Sequence, residues 1–144
     1  MFLGTYSGVL SSKRRVAIPS SFRKLLGEKF IVAKWYEGCL VLVPLDSFSA
    51  LLEKLKGETK IITRGVRDTE RFILGSAYKL SGDGQGRVVI PYSLATYAGL
   101  GKEISFIGLG DRVEIWDRNL WLKKEAYVAK SASETLEKLA NENK

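Results

Sequence analysis

The chain has 144 residues, enough for one domain or for two very small ones. It carries 23 Lys and Arg against 16 Asp and Glu, and its net charge of +7 favours an acidic partner, either nucleic acid or an anionic membrane. The absence of histidine and the single cysteine, Cys39, remove the usual general base, the commonest metal ligand and any intrachain disulfide. We therefore predict a protein that is not an enzyme and uses no metal, no cofactor and no small-molecule substrate.

The sequence also argues against a membrane location. No apolar run approaches the ~20 residues that a membrane-spanning helix needs. The first residues, Met-Phe-Leu, are followed at once by Gly-Thr-Tyr, which does not resemble a signal peptide. We expect a cytoplasmic protein, with Cys39 as a buried thiol on the apolar strand 39–43.

One short phrase occurs twice. Ser-Ser-Lys-Arg-Arg-Val-Ala-Ile-Pro at 11–19 returns as Asp-Gly-Gln-Gly-Arg-Val-Val-Ile-Pro at 83–91, so the two occurrences of the phrase are offset by 72 residues. Arg15 matches Arg87 within this repeat, although several of its neighbours change. The period is too long for a solenoid repeat and therefore predicts two copies of one small domain.

In chain order, each copy is predicted to contain two strands, a short helix and two more strands. The strands of the first copy lie at 6–10, 16–18, 30–33 and 39–43. The turn at 11–14 contains no glycine, which predicts a longer or irregular loop rather than a tight hairpin. Pro19 ends the second strand, Ser20 or Ser21 can cap the helix, and Gly27 ends it.

Helices separate and follow the copies. Asp46 or Ser47 can cap a helix that continues to about residue 56, and 64–74 is also predicted to be helical. The second copy then places its strands at 87–90, 104–107 and 113–116. After it, Asp117 can cap one helix, and 132–139 forms a separate amphipathic stretch whose leucines predict docking onto a neighbouring subunit.

The two copies differ in charge. The first, over 11–29, has Glu28 as its only acid against six positive residues, a balance of +5: Lys13, Arg14, Arg15, Arg23, Lys24 and Lys29. In the second, over 83–101, Asp83 and Arg87 cancel. If the partner is a polyanion, the first copy should therefore be the main contact.

A structural interpretation of the same residues remains open. Lys13 and Arg14 could be ordinary solvated turn residues. Asp83 lies four residues before Arg87 and could hold its side chain in a salt bridge. Ser11 stands at the matching position of the first copy, so the same pair is not possible for Arg15.

The pattern resembles the MraZ family of bacterial transcriptional regulators, from residue 1 to about 121. The motifs that carry the resemblance are Met-Phe-Leu-Gly-Thr-Tyr at 1–6, Arg-Val-Ala-Ile-Pro at 15–19, the phrase at 83–91 and Val-Glu-Ile-Trp-Asp at 113–117. The family signature in each half is Asp-x-x-x-Arg, which Asp83 and Arg87 match. The first half departs from it, because Ser11 replaces the aspartate and Arg14 stands where glycine or another turn former is usual.

The resemblance implies an α+β, mainly β chain: two tandem AbrB-like swapped-hairpin β-barrel half-domains with flanking helices and a pseudo-two-fold axis. The expected organisation is a first AbrB-like domain at 5–47, a helical connector at 48–75, a second AbrB-like domain at 76–119 and a C-terminal helical segment at 120–144. Members of the family assemble into rings, so a homo-oligomer is expected.

The implied function is sequence-specific binding of double-stranded promoter DNA in the nucleoid. The expected regulator is a repressor that acts on repeated elements of the division and cell-wall gene cluster. Lys13, Arg14 and Arg15 would enter or flank the major groove, and Arg87 would be the matching contact. Arg23 and Lys24 would touch phosphates at most.

Two rival functions rest on other features. In an oligomeric structural module, the basic turns would contact protein, and Trp35, Tyr36, Trp116 and Trp121 would matter more than the arginines. A single-stranded nucleic-acid binder needs aromatic residues interleaved with basic ones. The basic turn at 11–15 contains no aromatic residue, so this function ranks lower. An enzyme ranks last.

Overall fold

The computed structural model describes residues 1–57 and 62–142, which form eight strands and five α-helices. The elements, in chain order, are β1 (Phe2–Val9), β2 (Arg15–Ala17), α1 (Ser20–Leu26), β3 (Lys29–Lys34), β4 (Leu40–Pro44), α2 (Phe48–Lys56), α3 (Arg64–Ile73), β5 (Tyr78–Ser81), β6 (Arg87–Val89), α4 (Tyr92–Tyr97), β7 (Glu103–Gly110), β8 (Val113–Asp117) and α5 (Arg118–Glu142). None of the helices in these described ranges is both long and apolar enough to cross a bilayer.

The repeat is visible in the order of elements. The first copy contains β1, β2, α1, β3 and β4, and the second contains β5, β6, α4, β7 and β8. Helices α2 and α3 lie between the copies, and α5 follows them. The predicted α+β class is confirmed, but strands do not predominate, because the five α-helices together contain more residues than the eight strands. The expectation of a mainly β chain is therefore wrong for the chain as a whole.

The strands pair across the two copies. The large antiparallel sheet has the order β1-β7-β8-β4-β3-β5, and β2 pairs with β6 in a separate two-stranded ribbon. The outer strands β1 and β5 each pair with a strand of the other copy, as do β4 with β8 and β2 with β6. Each strand of the large sheet has a counterpart in the other copy: β1 and β5, β3 and β7, and β4 and β8. Counterparts occupy equivalent places counted from opposite edges of the sheet, so the pairing is symmetric. Each copy completes the other's sheet.

Two apolar clusters cover the two faces of the large sheet. One joins the sheet to the ribbon and the short helices, with Val16, Val88, Phe22, Leu94 and Phe106 among its buried residues. The other joins the sheet to α2 and α3 and contains the aromatic residues Trp35, Phe48 and Trp116. Cys39 is fully buried in the second cluster, as predicted, and this burial raises the pKa of its thiol.

The helix termini only partly follow the predictions. Pro19 precedes α1, which begins at Ser20 without a side-chain cap, and Ser47 makes no capping bond to α2. The predicted caps at these positions are therefore wrong. Asp117 does cap α5, because its Oδ2 accepts a hydrogen bond from the Leu120 amide at 3.3 Å. The two segments predicted after Asp117 form one helix, since no glycine or proline interrupts 118–142.

Candidate nucleic-acid interface

The β2–β6 ribbon brings the two repeated arginines to one face. Arg15 pairs with Val89, and Ala17 pairs with Arg87. Val16 and Val88 point into the core, so the residues on either side of each of them face outward. Arg15 and Arg87 are therefore diagonal neighbours on the outer face, with Cα atoms about 7–8 Å apart as is usual for such pairs.

Each strand of the ribbon follows a tight turn, and the two turns have the same backbone. In the first turn, residues 11–15, the Ser11 amide donates to the Arg15 carbonyl at 2.9 Å and the Arg14 amide donates to the Ser11 carbonyl at 2.9 Å. In the second turn, residues 83–87, Asp83 makes the same pair of bonds with Arg87 and Gly86, both also at 2.9 Å. The prediction of a longer or irregular first loop is therefore wrong.

A left-handed residue makes both turns possible. Gly86 has φ 74° and Arg14, its counterpart, has φ 60°. Glycine adopts this conformation freely, whereas a residue with a side chain does so at a cost. The first turn therefore reaches the geometry of a glycine turn without containing a glycine.

Ser11 and Asp83 hold the two turns in the same way. Ser11 Oγ accepts hydrogen bonds from the amides of Lys13 at 3.3 Å and Arg15 at 3.1 Å. Asp83 Oδ1 accepts from the amides of Gln85 at 2.8 Å and Arg87 at 3.0 Å. These two amide bonds are the main reason why the pKa of Asp83 lies below its ordinary value. Serine thus replaces aspartate as the backbone acceptor.

The turns differ in what happens to the arginine. Arg87 Nε donates to Asp83 Oδ2 at 3.0 Å in an ion pair whose two side chains are each 40% exposed. Arg15 is exposed, and it takes part in none of the ion pairs formed among residues 1–57 and 62–142. Among the residues that the structure describes, the arginine of the first turn thus has no carboxylate partner, whereas the arginine of the second turn is neutralised by one.

Arg14 and Arg23, both in the first copy, contact the second copy beside the ribbon. Arg14 is half-buried; its Nε donates to the Ile90 carbonyl at 3.0 Å, and its guanidinium lies 5.6 Å from the centre of the Tyr92 ring. Arg23, on α1, donates from Nη1 to the carbonyl of Gln85 in the second turn at 3.1 Å. Both arginines therefore have structural contacts, and both keep their charge beside the ribbon.

The remaining predicted contacts are solvent-exposed lysines. Lys13 lies in the first turn, two positions before Arg15, and Lys24 lies on α1. The structure thus places five of the six predicted residues in or directly against the two turns; Lys24 is the one further away, on the exposed side of α1. These five are Lys13, Arg14, Arg15, Arg23 and Arg87.

Sequence reasoning missed the contacts between copies. No pattern in the sequence indicates Tyr92, whose ring lies against the Arg14 guanidinium, or Gln85, whose carbonyl accepts a hydrogen bond from Arg23. The left-handed conformation of Arg14 did have a signal, because the repeat aligns Arg14 with Gly86. The partners of Arg14 and Arg23 had no local signal, since they lie in the other copy.

The fold and this surface define a two-repeat α+β protein that presents a cationic ribbon assembled from both repeats. A family model described as "MraZ protein, putative antitoxin-like" matches residues 1–69 and 73–143. The chain belongs to this MraZ family, which confirms the resemblance seen in its motifs. The family consists of transcriptional regulators and not of enzymes.

Curated relatives match over most of their length. A protein of Clostridium acetobutylicum named "Transcriptional regulator MraZ" is 42% identical over 123 residues, which cover 85% of this chain and 86% of the relative. Proteins of the same name from Acetivibrio thermocellus and Caldanaerobacter subterraneus subsp. tengcongensis are 40% and 38% identical. Those two alignments cover 97% and 99% of this chain, and the same shares of the relatives.

Proposed function

We propose that this protein is a sequence-specific double-stranded DNA-binding regulator whose β2–β6 ribbon contacts the major groove. The observation that carries the proposal is the pairing of β2 with β6, which puts Arg15 and Arg87 on one outward face. The major groove of B-DNA is ~12 Å wide and admits a two-stranded β-ribbon. Arginine can bind phosphates there or read guanine edges with its planar fork.

The predicted residues take different parts in this proposal. Lys13 and Arg15 contact DNA directly, since both are exposed in or beside the first turn. Arg87 is the matching contact from the second turn. Arg14, Arg23 and Lys24 add positive potential and reach phosphates at most, because Arg14 and Arg23 also hold the two copies together.

The regulator acts as a homo-oligomer, expected to be a ring, in the cytoplasm and associated with the nucleoid. One subunit makes few contacts, so several subunits bound to repeated DNA elements gain affinity together. The proposed targets are repeated promoter elements of the division and cell-wall gene cluster, with repression as the outcome. The fold proposed for each half is an AbrB-like swapped hairpin, in domains at 5–47 and 76–119 with helical segments at 48–75 and 120–144; the exchange of strands between copies supports it.

The proposal is tested by titration of a fluorescent duplex carrying the promoter repeats at several salt concentrations. The logarithm of the affinity should fall linearly with the logarithm of salt, by about 0.9 per phosphate neutralised. Arg15→Ala should weaken binding about tenfold and reduce the slope by about one. Arg71→Ala is the matched control, because Arg71 lies on α3, on the sheet face opposite the ribbon, and its loss should leave binding nearly unchanged.

Three outcomes contradict the proposal. Unchanged affinity in Arg15→Ala removes the first turn from the site. Tighter binding to the single strand than to the duplex indicates a single-stranded nucleic-acid binder. Retention on an acidic protein, without binding to any duplex, indicates an interaction module.

A further inference from the structure

We propose that the side chains at positions 11 and 83 decide how DNA binding is divided between the two turns. In this proposal, Asp83 acts as a latch that keeps Arg87 in an ion pair, which must open before Arg87 contacts DNA, whereas Ser11 leaves Arg15 available. The inference rests on the proposed DNA-binding function and assigns a regulatory role to two residues that need not touch DNA themselves.

The latch can be recognised because the two turns share one backbone arrangement, although their other side chains differ in charge. They share the same pair of backbone hydrogen bonds, and each contains one left-handed residue at the same position. They also share the side-chain acceptor of two backbone amides, Ser11 Oγ in one and Asp83 Oδ1 in the other. The remaining difference at this position is the second carboxylate oxygen of Asp83, which binds Arg87 Nε.

This second oxygen competes with DNA. A phosphate that approaches Arg87 must displace the carboxylate or share the guanidinium with it, and the displaced carboxylate would lie beside a like-charged phosphate. Ser11 offers Arg15 no such competitor, because a hydroxyl bears no charge. The first turn should therefore provide most of the affinity, and the second turn should contact DNA only when its ion pair opens.

The residues at positions 11 and 83 can be exchanged without loss of the turn. Serine and aspartate both accept the pair of amide hydrogen bonds, as this chain shows at its own two turns. Asp83→Ser should therefore release Arg87 and keep the backbone, and Ser11→Asp should latch Arg15 in the same way. Ser12 is a suitable control site, because it is exposed in the same turn as Ser11. The amides of Lys13 and Arg15 donate to Ser11 and not to Ser12.

The test is a double-mutant cycle at each turn, read as affinity for the duplex with the promoter repeats. In the wild type, Arg15→Ala should weaken binding about tenfold and Arg87→Ala less than about threefold. On the Asp83→Ser background, the loss caused by Arg87→Ala should grow at least about threefold. On the Ser11→Asp background, the loss caused by Arg15→Ala should shrink by a similar factor.

The control separates a latch from simple charge. Ser12→Asp adds the same charge to the first turn, and the loss caused by Arg15→Ala should be unchanged on that background. If Ser12→Asp shrinks this loss as much as Ser11→Asp does, charge alone explains the effect and the latch is wrong. If Ser11→Asp does not fold, the cycle between Asp83 and Arg87 decides by itself.

Failure of the latch can be distinguished from failure of the proposed function. Suppose that wild-type protein binds the duplex, but that each arginine substitution costs the same affinity whichever residue occupies position 11 or 83. In that case only the latch is refuted. If wild-type protein binds no duplex, both the function and the latch are refuted.

Discussion

The left-handed conformation of Arg14 leads to a prediction about stability. Arg14 has φ 60° and contributes two side-chain contacts, a hydrogen bond to the Ile90 carbonyl and the stack on Tyr92. Both Arg14→Ala and Arg14→Gly remove the contacts, which are together worth about 1–2.5 kcal/mol. Only the glycine variant also removes the backbone cost of the left-handed conformation, roughly 1–2 kcal/mol. Glycine has greater freedom in the unfolded chain, which offsets about 0.5–1 kcal/mol of this gain.

The free energy of unfolding of Arg14→Gly should therefore be about 0.5–1 kcal/mol higher than that of Arg14→Ala. Urea denaturation followed by circular dichroism, at one fixed protein concentration, measures the difference, which should move the midpoint by roughly 0.3–0.5 M. Lys13 provides the control, because its φ is not positive and glycine there should be less stable than alanine. Equal stability of the two variants at position 14, or a more stable alanine variant, would refute the reasoning.

Three further predictions concern other parts of the fold. A Cβ at Gly108 would lie 2.6 Å from the Leu3 backbone nitrogen, so Gly108→Ala should separate β1 from β7 and expose their amides to hydrogen exchange. Ionised Asp83 stabilises the fold at pH values above its ordinary pKa, and this stabilisation is lost as the pH falls through its lowered pKa in the folded state. The difference in free energy of unfolding between wild type and Asp83→Asn, measured by urea denaturation, should therefore shrink in acid. The buried thiol of Cys39 has a raised pKa, so a thiol reagent at pH 8 should label it only after unfolding, as absorbance would show.

The order of elements could be predicted because the repeat marks it twice. Pro19 and Pro91 each follow a ribbon strand, and Gly27 and Gly99 each lie just beyond a short helix. The pairing of strands across copies could not be derived in this way. The ribbon strands have three residues each, too few for an alternation pattern to specify a partner, and only the family resemblance implied the exchange.

The candidate site was predictable where its contacts are local. The pair of Asp83 with Arg87 follows from a spacing of four residues, and the repeat itself singled out Arg15. By contrast, Arg14 and Ile90 lie 76 positions apart, and Arg23 and Gln85 lie 62 apart. Such contacts depend on how the copies come together, which no local pattern specifies.

The central claim, that the β2–β6 ribbon binds duplex DNA through the first turn, is tested most directly by footprinting. Purified wild-type and Arg15→Ala proteins would be applied to the organism's own promoter regions and probed with a nuclease. We predict that the wild type protects regularly repeated elements in the duplex and that the variant loses this protection at the same protein concentration. The same protection by both proteins, or no protected duplex with the wild type, would contradict the claim.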